Sequence, residues 1–266
     1  NFLNWCPEGT EATSEKAGYD RKNTPTNGST PLSRAPVSLN PKSSLWLEGT
    51  LEFAKEEIKE MDVNPEILEY IKEKILPCYD SFDKGHRRDH AEYVMETALY
   101  LSSFHDVDVN MTAMAAACHD LGLCEDRKTH HIVSGRIIRE NADLREWFSD
   151  SQIELIAQAA EDHRASSDHE PRSIYGKIVA EADRQIIPET VIRRTVQFGL
   201  KNYPELDKEG HWQRTVGHLN EKYADGGYLK LWIPESPNAE RLEELRAIIR
   251  DKKELRRIFD KVFDEA

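Results

Sequence analysis

From Leu45 onward, apolar residues recur at helical spacing with few interruptions. Leu47, Leu51, Phe53 and Ile58 outline a first amphipathic segment. Asn64-Pro65 opens a second, with Ile67, Leu68, Ile71 and Ile75 on one stripe, and Pro77 is expected to stop it. Val94, Ala98 and Leu101 mark the segment after His90. Met111 to Ala117 form an apolar run ending at the doublet His119-Asp120. Ile153, Ile156, Ala157 and Ala160 lead to His163, and Ile174, Ile178, Val179 and Ala182 lead to Asp183. A further helix-like stretch covers Val191 to Leu200. After a Gly- and aromatic-containing region, one charged amphipathic helix running from Leu242 to Phe259 is expected to close the chain. No alternating series marks strands and no fixed period marks repeats, so the pattern predicts an all-α fold.

Residues 1–44 break this pattern. Their prolines, asparagines and glycines sustain neither helix nor strand pairing, which predicts an irregular or disordered leader. The expected organisation is this leader, a helical core over 45–200, and a C-terminal helical extension over 201–266 that packs on the core. Trp212, Tyr223, Tyr228 and Trp232 are expected to pack that extension.

Composition narrows the function classes. A formal net charge of −13 argues against a nucleic-acid polymer or an anionic membrane as main partner, while leaving room for a small anion held by local cations. No apolar run reaches 18 residues, so no membrane-spanning helix is expected. The four cysteines fall at no disulfide-scaffold or metal-knuckle spacing, which makes a reducing, cytoplasmic setting the default.

The chemistry concentrates in residues that end the apolar segments. An imidazole beside a carboxylate at the end of a buried helix is costly unless both are paired, and a metal ion pairs both. Around His119 and Asp120 stand His90, His130, His163 and Asp183, each at the edge of its own helix-like segment. Donors from consecutive helices converge naturally at a bundle centre. Four imidazoles and two carboxylates suit one or two divalent transition-metal ions, iron or manganese first, then cobalt or zinc, better than calcium.

The order His90, His119-Asp120, Asp183 resembles the HD-domain superfamily of metal-dependent phosphohydrolases. The likeness extends to Asp83-Lys84-Gly85-His86-Arg87-Arg88-Asp89-His90, to Ala115-Ala116-Ala117-Cys118-His119-Asp120-Leu121-Gly122, and to His130-His131-Ile132-Val133-Ser134-Gly135. Ala159-Ala160-Glu161-Asp162-His163 and Glu181-Ala182-Asp183-Arg184 resemble its closing blocks. The resemblance implies an HD-domain helical bundle over the motifs from 83 to 184. It also implies His90, His119, Asp120 and Asp183 as metal ligands, with His130 and His163 completing a binuclear site. The implied reaction is hydrolysis of a small phosphate ester, such as a nucleotide, by metal-activated water. Asp120 would accept the water proton, and His86 would protonate the leaving oxygen or bind phosphate. Arg164, Lys177 and His131 are the candidate substrate-binding residues, with Arg184 behind them. Two other readings fit the same ligands: a di-iron HD-fold oxygenase, and a metal-binding regulatory module without turnover.

Overall fold

Helix α1 (Pro65–Tyr70) begins where the sequence predicts. The Asn64 side chain accepts the Glu66 backbone N–H, and Pro65 occupies a first-turn position that needs no donor. The chain does not stop at Pro77. It widens into a π-helical turn over Ile71–Ile75 and tightens into a 3-10 turn over Leu76–Ser81, with Pro77 at the start of that turn, where a missing N–H matters least. This path buries Ile71, Ile75, Leu76 and Tyr79. The computed structural model describes residues 63–82, 85–167 and 169–265. The expected leader 1–44, the amphipathic segment through 62, and Asp83 and Lys84 of the first motif lie outside the described residues.

Five helices surround the site. They are α2 (Arg88–Ser102), α3 (Val109–Cys118), α4 (His130–Glu140), α5 (Asp150–Asp162) and α6 (Ile174–Asp183). Asp108 caps α3 by accepting the Asn110 and Met111 N–H groups, and every residue from Met111 to Cys118 is buried. A helix apolar on all sides belongs in the middle of a bundle. Its small alanines let α2, α5 and α6 pack directly against it. Ser149 and Gln152 form a reciprocal capping box at the start of α5, and Ser173 caps α6.

Beyond Asp183 a second apolar cluster begins. Helices α7 (Pro188–Asn202), α8 (Lys208–Lys222), α9 (Asn238–Arg250) and α10 (Lys252–Asp264) share Ile192, Val196, Leu219, Leu245 and Phe259. Helix α7, which falls before 201 in the sequence pattern, therefore packs with the C-terminal helices. The single closing helix expected from Leu242 to Phe259 is two helices. Asp251 ends α9 with a non-helical ψ of 87°, and its carboxylate caps α10 through the Lys253 and Glu254 N–H groups. Trp212 and Tyr223 pack in this cluster. Trp232 instead leans on the first cluster, which Ile233 enters outright.

The described residues form no strand, and the fold is all-α. No helix among them is long and apolar enough to cross a membrane.

Candidate metal centre

The six candidate donors sit at element ends. His90 lies in the first turn of α2, His119 and Asp120 follow α3, and His130 opens α4. His163 follows α5, and Asp183 closes α6. Two braces set the turn after α3. The buried Tyr79 hydroxyl donates to the Ala117 carbonyl at 2.8 Å and accepts the Asp120 N–H at 3.3 Å. Gly122 donates to Ser134 Oγ at 2.9 Å, and a Cβ on Gly122 would collide with the His130 carbonyl oxygen. Glycine thus lets the HDLG turn lie flat on α4.

Around Asp120 the donors form two groups. On one side, Asp120 Oδ2 lies 3.4 Å from His119 Nε2 and 3.8 Å from His90 Nε2. Asp183 Oδ1 joins them, 3.2 Å from His90 Nε2 and 3.8 Å from His119 Nε2. On the other side, Asp120 Oδ1 lies 3.3 Å from His130 Nε2 and 3.5 Å from His163 Nε2. Ligand atoms about 2.1 Å from a tetrahedral or octahedral ion stand roughly 3.0–3.5 Å apart; the second group has this spacing, and the first meets it at two contacts and is slightly wider at the two of 3.8 Å.

The imidazoles are preset for this. Nδ1 of His119, His130 and His163 faces the carbonyls of Ala116, Arg127 and Ala160 at 2.8, 2.8 and 2.5 Å. A carbonyl only accepts, so each Nδ1 carries a proton and each ring aims Nε2, its ligating nitrogen, inward. The Nε2 atoms of His130 and His163 are 3.1 Å apart. Two lone pairs at that distance repel unless a proton or a cation lies between them. His119 Nε2 and both ring nitrogens of His90 are buried without a well-formed hydrogen bond. The residues present fit a divalent ion.

Electrostatics follow the same division. Burial alone would lower the His119 pKa, but the Asp120 and Asp183 carboxylates hold it up to about 9. Burial and the neighbouring His163 push His130 down to about 4, which favours the neutral, ligating form. Burial works against the Asp120 charge, yet His119 and His163 hold that carboxyl well below its usual range. Asp183 is likewise lowered against its burial, chiefly by His90. With 26% of its side chain exposed, Asp183 is the most accessible of the six donors.

Residues 87–185, which carry all six donors, match the family model of the HD domain. The chain carries an HD domain. A solved structure similar to this chain is a predicted HD superfamily hydrolase from an uncultured Thermotogales bacterium. It has 23% sequence identity and a TM-score of 0.41, and the match covers 62% of this chain and 93% of that one. No curated protein matches the chain.

The other candidate residues surround the HD-domain centre unequally. The His86 ring meets His90 edge-on, 5.8 Å between centroids, and His131 meets His130 at 5.5 Å. Arg164, next to His163, donates from Nη1 to the Lys128 carbonyl at 2.7 Å. Lys177 is turned to the other end of α6, where its Nζ pairs with Glu170 at 2.5 Å. Arg184 is buried, and its Nη1 donates to the Ala180 carbonyl. Tyr79 carries no motif in the sequence. Its position shows only once the π and 3-10 turns place it beneath Asp120.

Proposed function

We propose that this chain is a metal-dependent phosphohydrolase with a binuclear centre, acting on a small phosphate ester. The observation that carries the reading is the division of Asp120. One carboxylate oxygen faces His90 and His119, and the other faces His130 and His163. A bridging carboxylate between two donor groups matches a two-metal site. Divalent ions held there supply Lewis acidity toward a phosphoryl oxygen and make water acidic enough to attack at neutral pH.

The chain's own groups complete the chemistry. Asp120, kept ionised by its histidines, fixes both donor groups and takes up the proton of the attacking water. His86, beside His90, is placed to return a proton to the leaving oxygen. Arg164 and His131 lie next to His163 and His130 in sequence and bind the phosphate oxygens as the ester enters past Asp183. Burial of the donors excludes bulk water, which strengthens each of these interactions. The imidazole-carboxylate donor set suits iron or manganese, with cobalt or zinc as substitutes.

The test is elemental analysis of protein purified without added metal or chelator, paired with assays for phosphate release and for oxygen consumption. Two equivalents of metal with phosphate release from a small ester, abolished in His119→Ala, are expected. Oxygen consumption without phosphate release would overturn the hydrolytic reading in favour of an oxygenase. One equivalent, unchanged in His130→Ala, would overturn the binuclear one.

A further inference from the structure

Where residues 228–232 cross the loops that follow His163 and Asp183, they close a recess lined by Arg164, Arg184, Tyr228, Lys230 and Trp232. We propose that this recess is an anion-binding subsite that holds a second phosphate-type group of the substrate, beside the group at the metal centre. Its role in substrate binding rests on the hydrolytic reading above; its affinity for an anion does not.

Three cations meet there, and the acids nearby are already committed. Asp162 accepts Arg172 N at 2.7 Å and Arg172 Nε at 3.0 Å. Glu170 is paired with Lys177. Glu181 accepts Trp232 N at 2.7 Å and Asn238 Nδ2 at 2.9 Å, and Asp183 belongs to the metal centre. In a chain of net charge −13, three cations left around one recess are a local reversal of sign.

Two of the residues that line the recess also carry a buried donor without an acceptor. Arg184 is only 7% exposed, and its Nε has no hydrogen-bond partner; neither has the buried Nε1 of Trp232. Leaving a buried donor unmade costs more than a made bond returns. A phosphate or sulfate oxygen, which only accepts and carries charge, satisfies both. Arg164 connects the two regions, because it directly follows His163 and also lines the recess.

The placement has a consequence for specificity. Arg164 and Arg184 each follow a metal donor by one residue, whereas Tyr228, Lys230 and Trp232 lie outside the segment matching the HD domain. The connection between α8 and α9 thereby contributes to the choice of substrate, favouring one with two separated anionic groups over a simple monoester.

The experiment titrates inorganic sulfate and phosphate into the full chain as purified, by calorimetry, and repeats this with Lys230→Ala, Arg164→Gln and, as a surface control, Lys201→Ala. One anion per chain is expected, weakened roughly fivefold to tenfold in the first two variants and unchanged in the control. Lys230 is exposed, so its truncation leaves the fold in place. With a bisphosphorylated ester, Lys230→Ala is expected to raise KM by a similar factor and hold kcat within about twofold. Absence of anion binding, or equal binding in wild type and both variants, would overturn the subsite. Anion binding with this dependence in a protein that hydrolyses no ester would keep the subsite and sink the hydrolytic reading.

Discussion

The buried carboxylate of Glu181 accepts the Asn238 side-chain amide at 2.9 Å, and the same amide donates to the Glu181 carbonyl at 3.0 Å. Glu181 stands two residues before the donor Asp183 and also accepts the Trp232 N–H. The C-terminal helices are thus fastened to the helix that carries the candidate metal donor Asp183. Truncation in Glu181→Ala strands two buried donors and is expected to cost about 2–4 kcal/mol, read from urea denaturation. Glu181→Gln keeps one carbonyl oxygen and should lose less. Equal stability of all three proteins would show that this fastening contributes nothing.

Two glycines should respond in opposite directions. Gly122→Ala drives a methyl group into the His130 carbonyl and the Ser134 backbone, both held by α4, so loss of soluble protein or destabilisation by several kcal/mol is expected. Gly217 lies inside α8 with open space where its Cβ would be. Gly217→Ala should stabilise by about 0.5–1 kcal/mol, because alanine loses less entropy on entering a helix. Thermal denaturation of the two variants side by side checks both signs.

Metal should stabilise the folded chain, since the donor groups exist only when it is folded. Manganese added to chelator-treated protein is expected to raise Tm, and the rise should shrink in His163→Ala and vanish in Asp120→Ala. A Tm indifferent to manganese in the wild-type protein would contradict the fit of these residues to an ion.

Acid should loosen α4 from α5. Arg139 Nε and Nη2 grip Glu154 at 2.7 and 2.9 Å, and Nη1 reaches Glu161. The Arg139 hydrogen bond holds the Glu154 carboxyl down at about 2, against 4.5 ordinarily. A lowered folded-state pKa means that the stabilisation is complete above about pH 4.5 and is lost as pH falls toward 2. The urea midpoint should drop across that window, and Glu154→Gln should flatten the drop. Because Glu154 is 46% exposed, solvent screening keeps the effect modest.

Much of the bundle could be read from the chain because its signals are local. Asn64-Pro65 starts a helix by capping chemistry, and the alanines before His119 announce a helix buried all round. The six donors stand out because each lies at one edge of an apolar segment, and the fold brings them within a few ångströms of one another. What escaped the pattern depends on contacts made far along the chain. Nothing near Tyr79 says that its hydroxyl will lie under Asp120. The helix break at Asp251 looks like a solvated charge run until its carboxylate is seen capping α10. Tyr228 was expected to pack the extension, yet it is 40% exposed and lines the recess with Lys230 and Trp232. Helical periodicity reports which face a residue occupies, and it is silent on which distant loop that face will meet.

The donors lie at sequence positions 90 to 183 and come from the ends of five different helices. Ions held by the two donor groups would close several long chain loops at neighbouring points, acting on the unfolded ensemble as a cluster of reversible crosslinks does. Such a chain could not lose its metal and keep its full cooperativity. Chelator would then soften the bundle from the inside, and a protease would see metal-poor molecules before any assay of turnover did.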